Sequence, residues 1–218
     1  MMNHTIRLRA PGGRTGRRSG WKALCRHSTP LRLLVFVLLA AGSWQVGAGL
    51  YLHAKARLAQ VLIAHAWEHN HEQGRAVARP WAWADTTAIA RIRFVEHGRS
   101  MIVLEGDSGR TLAFGPGHRT GTTPPGGTGN SVISGHRDTH FRILEQVSAG
   151  QRIEVERLDG SSRSYRVSGV RIVDHRDLGI LSDRGRDALT LVTCWPFDAV
   201  APGGPLRYVV SALAEDGA

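Results

Sequence analysis

Cysteine is scarce in this sequence of 218 residues, where only Cys25 and Cys194 occur. The chain is long enough for one or two domains, and 42% of its residues are hydrophobic, so it can bury a sizeable core. These numbers exclude a small scaffold held together by disulfides. They also exclude an intrinsically disordered chain.

Dense clusters of acidic side chains are also missing, and Glu105 and Asp107 come nearest to forming one. Because calcium sites are built from several carboxylate and carbonyl oxygens, the sequence does not support such a site. His65 and His69 have the spacing of a metal-binding pair on a helix, but no Cys or carboxylate pattern completes the ligand set, which favours solvated histidines. We expect neither a metal site nor a cofactor.

Acidic residues are absent from the first 32 positions, which nevertheless carry eight basic residues: Arg7, Arg9, Arg14, Arg17, Arg18, Lys22, Arg26 and Arg32. This segment therefore supplies +8 of the formal net charge of +10. The other residues hold 20 of the 28 Lys and Arg and all 18 Asp and Glu, a net charge of +2. The basic character belongs to a tail, which disfavours a folded surface that binds nucleic acid.

Residues 33–52 form an apolar run of twenty residues without a charged side chain, about the ~20 that a helix needs to cross a bilayer. The positive tail precedes this run and only Lys55 and Arg57 follow it closely, so residues 1–32 are predicted to stay in the cytoplasm and the rest to be exported. The tail would also attract anionic lipid headgroups. A cleaved signal peptide is the alternative, but the length of the tail favours an anchor. Cys25 and Cys194 then lie on opposite sides of the membrane and cannot pair.

Residues 53–79 are predicted to form a helical stalk that links the anchor to a domain at 80–218. The stretch 53–73 is rich in Ala, Leu, Glu and Gln and contains no Pro or Gly, and Gly74 suits the end of a helix.

After Pro80 the sequence changes to short apolar or alternating runs broken by Gly, Pro, Asp and Ser, which indicates an all-β domain. The predicted strands are 89–95, 101–105, 110–114, 131–134, 152–158, 164–173, 188–194 and 206–213. Asp159-Gly160 predicts a hairpin turn between the fifth and sixth of them. Eight short strands suggest a closed barrel or a sandwich, with short helices at 140–147 and 176–181 and a loop at 115–129.

Three chemically versatile side chains stand at the ends of predicted strands. Cys194 closes one strand and Arg207 opens the next, and the intervening residues 195–205 contain three Pro and two Gly. If these strands pair antiparallel, both residues lie at the same rim, although only the register decides whether they share a face. His136 follows another strand. A thiol, an imidazole and a guanidinium suit acyl transfer: attack on a carbonyl, proton transfer to a leaving amine, and oxyanion stabilisation.

Two rival interpretations arise from the same residues. His136 and His140 have the spacing of a zinc protease helix, but Arg137 occupies the position of the glutamate that acts as its general base. Alternatively, Cys194 is a buried, unreactive thiol in an anchored β-domain that serves adhesion or assembly.

The segment Thr190-Leu191-Val192-Thr193-Cys194 resembles the Thr-Leu-x-Thr-Cys signature of the sortases. Arg207 in the next strand resembles the catalytic arginine of that family, and Ser134-Gly135-His136-Arg137 resembles its Gly-His segment. The likeness covers about residues 80–212 and the N-terminal anchor. Residues 112–118 and 136–141 are most similar to the sortases of Gram-negative bacteria.

This resemblance implies an eight-stranded sortase-type β-barrel with transpeptidase activity. Cys194 would attack the threonine carbonyl of an LPXTG-like signal near the C-terminus of an exported protein, and an amine acceptor would take the resulting thioacyl group. His136 would move protons and Arg207 would stabilise the oxyanion. Candidate substrate-binding residues are Thr193, Trp195, Phe197 and His140.

The implied location is the bacterial inner membrane, with a single span, the N-terminus inside and the catalytic domain in the periplasm. The L,D-transpeptidases are the nearest enzymatic alternative, because they also combine Cys, His and Arg on a β scaffold. Their nucleophile lies in a His-Gly-Cys-x-Arg type sequence, whereas Thr193 and Trp195 flank Cys194 here.

Overall fold

The computed structural model describes residues 28–182, 185–201 and 203–215, so that Cys25 and most of the basic tail lie outside the described residues. The chain divides into two units, residues 1–53 and residues 54–218. Helix α1 (Ser28–Glu72) contributes to both. In the first unit its large apolar side chains are exposed, with Phe36 at 70% and Trp44 at 77%. Of the helices in the described part of the chain, α1 alone is long and apolar enough to cross a membrane.

The second unit contains eight strands and several short helical segments. The strands are β1 (Ala88–Phe94), β2 (Arg99–Glu105), β3 (Gly117–His118), β4 (Asn130–Ser134), β5 (Arg152–Arg157), β6 (Ser162–Asp174), β7 (Ala188–Cys194) and β8 (Leu206–Ala214). One helical turn, α2 (Gly109–Leu112), lies between β2 and β3. The 3-10 segments are Val95–His97, His140–Gln146 and Leu178–Leu181.

The eight strands form a closed barrel in the order β1-β2-β3-β4-β7-β8-β6-β5. Strand β2 pairs in parallel with β3, and β4 in parallel with β7, whereas the other neighbours are antiparallel. Each of these strands is paired with a neighbour on both sides, although the short strand β3 covers only two residues of β2 and two of β4. The predicted all-β fold with a closed eight-stranded barrel is therefore confirmed.

The barrel interior is filled by side chains that alternate along each strand. On β7, Leu189 and Leu191 point inwards and are fully buried, and Ile133 of β4 and Val210 of β8 join the same core. The intervening residues Val192 of β7 and Val209 of β8 form a separate apolar cluster on the outside of the barrel. Alternation therefore gives β7 one face in the core and an outer face on which Val192 packs against Ile180 and Leu181 of the 3-10 segment Leu178–Leu181.

The last turns of α1 pack against the barrel, which the stalk interpretation of residues 53–79 missed. Ile63 and Trp67 are 2% exposed and pack against Ala88 and Leu104. The buried Asn70 amide accepts hydrogen bonds from the backbone N–H groups of residues 77 and 78, and donates to the carbonyls of residues 78 and 88. The composition of the segment predicted its helix, but the buried face depends on the i, i+4 and i+7 spacing of these three residues.

Two predicted details of the strands are wrong. Residues 110–114 are not a strand, because α2 begins after Ser108, whose hydroxyl caps it by accepting a hydrogen bond from the Thr111 N–H. The loop predicted at 115–129 contains the two-residue strand β3. The hairpin at Asp159-Gly160 is confirmed, with Gly160 at the positive φ of 79°.

We expect Trp67→Ala to lower the free energy of unfolding of the full chain in detergent by about 3–5 kcal/mol, because it leaves a cavity between α1 and the barrel. Chemical denaturation followed by circular dichroism measures this change. Trp83→Ala is the matched control, since Trp83 is 84% exposed and its loss should change stability by less than about 0.5 kcal/mol. Equal losses in the two variants would contradict the packing described for α1.

Candidate functional site

Cys194 and Arg207 are direct partners in the antiparallel ladder between β7 and β8. Residues that face each other across such a ladder project to the same side of the sheet. Val192 and Val209, which are also ladder partners, lie two residues away on the same strands and belong to the outer apolar cluster. The side chains of Cys194 and Arg207 therefore lie on the outer face of the barrel as well. The Cys194 thiol is free and half-buried. The sequence did not fix the register of these two strands. The register in the structure brings the Cys194 thiol and the Arg207 guanidinium to the same face.

His136 reaches the same rim from the other side of β7. Ser134 of β4 is paired in parallel with Val192, and the Gly135 N–H continues the ladder by donating to the Val192 carbonyl at 3.0 Å. His136 is two residues beyond Ser134, as Cys194 is two residues beyond Val192, so they stand at the same level on neighbouring strands. The three candidate catalytic residues therefore stand at the same ends of three adjacent strands, with Cys194 in the middle and His136 just beyond the end of β4.

The turn that carries His136 is held tightly. A Cβ atom on Gly135 would lie 2.6 Å from Cγ of the buried Phe141 ring, so the close approach requires glycine. The Thr193 hydroxyl points into the barrel and donates to the Gly135 carbonyl at 2.7 Å. Thr193 was predicted to bind substrate, but its side chain is only 2% exposed. Its hydrogen bond to Gly135 instead holds the turn that carries His136.

The guanidinium of Arg207 is oriented by its own loop. Its Nη1 donates to the carbonyls of Gly204 at 2.7 Å and Leu206 at 2.9 Å. Within the part of the chain that the structure describes, Nε and Nη2 make no hydrogen bond. Arginine carries its donors in a fixed planar fork, so holding one nitrogen fixes the direction of the others. The free donors are available to a developing negative charge.

An aromatic cluster follows Cys194. The half-buried Trp195 stacks on Tyr208 with ring centroids 5.5 Å apart, and Phe197 meets both rings edge to face. Phe197 is only 4% exposed and belongs to the barrel core, so its predicted contact with substrate is not supported by its position. Trp195 is the one of these two candidates that is partly exposed.

His140 begins the 3-10 segment after the His136 turn and is half-buried. Burial, with a smaller contribution from the charge of His136, lowers the pKa of His140 below its ordinary value. It lines a cavity of about 320 Å³ together with Gln60 and Arg99 rather than standing beside Cys194. The segment 136–140 is a turn and not a helix, which removes the zinc protease interpretation.

Arg137 is a functional candidate that the sequence interpretation missed. It is 4% exposed, and its guanidinium donates to the carbonyls of Pro196 at 2.6 Å and Ala199 at 2.8 Å and to the Asp138 carboxylate at 2.8 Å. The hydrogen bond to Asp138 raises the pKa of Arg137 against the opposing effect of burial, and the same bond lowers the pKa of Asp138. Arg137 therefore joins the His136 turn to the loop after Cys194. In the sequence, Arg137 is marked only by the neighbouring Asp138, and an adjacent Arg-Asp pair does not predict that the arginine is buried.

A small cavity of about 120 Å³ opens on the outer face next to Arg207. Its apolar side is formed by Val132, Val192 and Ile180, and its polar side includes Arg119 and Ser134, both of which bond to Asp107. Among the residues described, no group of three His, Cys, Asp or Glu could hold a metal ion.

Comparison with protein families gives one matching domain, described as the sortase domain, over residues 92–215. Among curated proteins, Sortase D of Bacillus subtilis (strain 168) is 32% identical over 109 residues, which are 50% of this chain and 54% of that protein. The chain thus spans about half the length of this curated relative.

Solved structures of the same family share the fold. Sortase A from Corynebacterium diphtheriae matches with a TM-score of 0.56 and 31% identity, over 62% of this chain and 64% of that one. Sortase C-1 from Actinomyces oris matches with a TM-score of 0.53 and 30% identity, over 59% and 73% of the two chains. The narrower likeness to sortases of Gram-negative bacteria stays a prediction.

We expect Arg137→Lys to loosen residues 195–205, because an ammonium group cannot donate to two carbonyls and a carboxylate in the same geometry. Chymotrypsin cleavage after Phe197, which is buried in the native loop, should become roughly tenfold faster or more. Arg93→Lys is the control, because Arg93 of β1 forms its ion pair with Glu154 of β5. This variant should be cleaved at the wild-type rate. Cleavage at the wild-type rate in Arg137→Lys would contradict this role.

Proposed function

The chain belongs to the sortase family, and we propose that it is a membrane-anchored cysteine transpeptidase. Its substrate is an exported protein with an LPXTG-like signal near the C-terminus, and its second substrate is an amine. The observation that carries this proposal is the placement of Cys194 between Arg207 and His136 at one rim of the barrel: Cys194 and Arg207 end and begin paired strands, and His136 follows the neighbouring strand β4.

In the first half-reaction, Sγ of the Cys194 thiolate bonds to the threonine carbonyl carbon of the signal. The carbonyl oxygen gains negative charge, which the free donors of Arg207 stabilise. The bond between carbon and nitrogen then breaks, and protonated His136 gives its proton to the departing amine. A thioacyl-enzyme remains.

In the second half-reaction, the amine acceptor attacks the thioacyl carbon and His136, now neutral, takes a proton from it. The bond between carbon and Sγ breaks, which releases the transferred peptide and restores the thiolate. The apolar side of the cavity beside Arg207 suits an aliphatic side chain of the signal upstream of the reacting threonine. Trp195 flanks the thiol and is the residue of the 195–205 loop that we assign to substrate contact.

We propose that residues 33–52 form the membrane anchor, with the basic tail in the cytoplasm and the barrel outside. Support comes from the eight basic residues before the apolar run and from the length and exposure of α1 in the first unit. In a cell with two membranes this orientation places the barrel in the periplasm.

We expect Cys194→Ala to abolish cleavage of an LPXTG-type peptide by the full chain. His136→Ala should lower kcat/KM by about 10²–10⁴-fold, since it removes the proton carrier. Arg207→Ala should lower it by about 10²–10³-fold, since it removes an oxyanion donor. Cleavage is measured with a fluorescence-quenched peptide, and Cys25→Ala is the thiol control that keeps full activity. A Cys194→Ala protein that still cleaves the peptide refutes the mechanism.

The two cysteines also test the topology. We expect a membrane-impermeant methanethiosulfonate reagent, applied to cells with a permeabilised outer membrane, to label Cys194 in a Cys25→Ser chain. The same reagent should leave Cys25 unlabelled in a Cys194→Ser chain until detergent opens the inner membrane. Labelling of Cys25 before detergent is added contradicts the proposed orientation.

A further inference from the structure

His175 stands beside Arg207 but has no part in the two proposed half-reactions. Arg207 is the ladder partner of Val173 on β6, and His175 follows two residues after Val173, just past the end of that strand. The backbone N–H of His175 donates to the Pro205 carbonyl at 2.7 Å, which continues the pairing of β6 with β8 by one step. Side chains two residues apart in extended backbone share a face, and both His175 and Arg207 line the cavity of about 120 Å³. His175 is therefore a neighbour of Arg207 at the candidate site.

The imidazole of His175 is bonded to the loop that leads into Arg207. Its Nδ1 lies 3.2 Å from the Pro205 carbonyl oxygen and 3.4 Å from the Asp174 carboxylate. Both of these partners are acceptors, so Nδ1 carries a hydrogen and acts as the donor. The Pro205 carbonyl has two lone pairs and thus accepts from the backbone and from the side chain of the same histidine.

The residues on either side of Pro205 supply the bonds that orient Arg207. The Gly204 and Leu206 carbonyls both accept from Nη1 of Arg207. Pro205 has no N–H, so its carbonyl is the one backbone hydrogen-bonding group by which the protein can fix it. His175 holds this middle carbonyl, while Arg207 holds the two beside it. A shift of the middle carbonyl would move the outer two, and the planar guanidinium fork would turn with them.

The turn from which His175 projects is itself fixed. The Asp174 carboxylate accepts from the Arg176 N–H at 2.9 Å, and the Asp174 carbonyl accepts from the Asp177 N–H at 3.0 Å. The Asp177 carboxylate in turn accepts from the Gly179 N–H at 2.9 Å. His175 is thus anchored at the end of β6, and it restrains the loop that precedes β8.

We propose that His175 is a positioning residue that acts through Arg207. By holding the Pro205 carbonyl, it keeps the remaining guanidinium donors of Arg207 directed at the oxyanion. This inference rests on the proposed function for the role of Arg207. Because those donors act on charge that develops during the reaction, a loss of their direction lowers kcat and leaves KM nearly unchanged.

The test uses the full chain in detergent and a fluorescence-quenched LPXTG-type peptide. Leucine and asparagine have the same branched shape at Cγ, but only asparagine carries a donor nitrogen in the place of Nδ1. We expect His175→Leu to lower kcat about fivefold with KM changed less than about twofold, and His175→Asn to keep at least about half of the wild-type kcat. His97→Leu is the matched control, because the His97 imidazole bonds to Gln151 beside the turn between β1 and β2. This control should keep the wild-type kcat and KM.

A double-mutant cycle separates this role from a general loss of structure. In an Arg207→Ala chain, His175→Leu should leave the residual kcat nearly unchanged, since the residue through which His175 acts is gone. An equal loss of kcat in both backgrounds overturns the proposal. Wild-type kcat in His175→Leu overturns it as well, and so does a His175→Asn chain that is no more active than His175→Leu.

If the wild-type chain cleaves no such peptide, the proposed function is refuted, and NMR then decides the positioning role without any activity. The proton–nitrogen signal of Arg207 Nε is identified by its absence from Arg207→Ala. We expect its heteronuclear NOE to fall in His175→Leu, because the guanidinium gains motion, and to return to the wild-type value in His175→Asn. An unchanged NOE in His175→Leu overturns the inference.

Discussion

The hydrogen-bonded register of β4, β7 and β8 is the constraint on which the candidate site depends. It makes Cys194 the direct partner of Arg207 and places His136 level with the thiol on the opposite side. Strand periodicity then decides the faces, because a shift of one residue would turn Cys194 into the core and Thr193 outwards. The buried Leu189 and Leu191 oppose such a shift, so the apolar core also holds the candidate catalytic side chains outside.

The loop between β7 and β8 is held by charge rather than by apolar contact alone. Arg137 is nearly excluded from solvent, and carbonyl groups of the loop together with Asp138 satisfy its donors. Removing a partner from a buried charge is expensive, which makes this contact hard to open. Arg207 is fixed from the other end of the same loop through the Gly204 carbonyl. Two arginines thereby secure both ends of the segment that joins β7 to β8.

The sequence predicted the barrel and the rim where Cys194 and Arg207 meet, because a strand, a loop rich in Pro and Gly, and another strand form a local pattern. Resemblance to a family, rather than spacing, singled out His136. The sequence did not reveal the packing of Trp67, the burial of Arg137 or the inward direction of Thr193, since each depends on partners distant in the chain. The helix at Gly109–Leu112 was predicted as a strand because the capping role of Ser108, which is a local feature of the sequence, was overlooked.

The parallel pairing of β4 with β7 has a consequence for the order of folding. The hydrogen bond from Thr193 to Gly135 spans 58 residues, and closing so long a loop costs entropy before any contact is gained. Pairings of this kind form slowly compared with hairpins such as β5 and β6. Until β4 pairs with β7, the Cys194 thiol is therefore separated from His136, whereas Arg207 lies on the next strand along the chain. The candidate catalytic site is therefore assembled only when the barrel closes, and an incompletely folded chain carries Cys194 without His136 beside it.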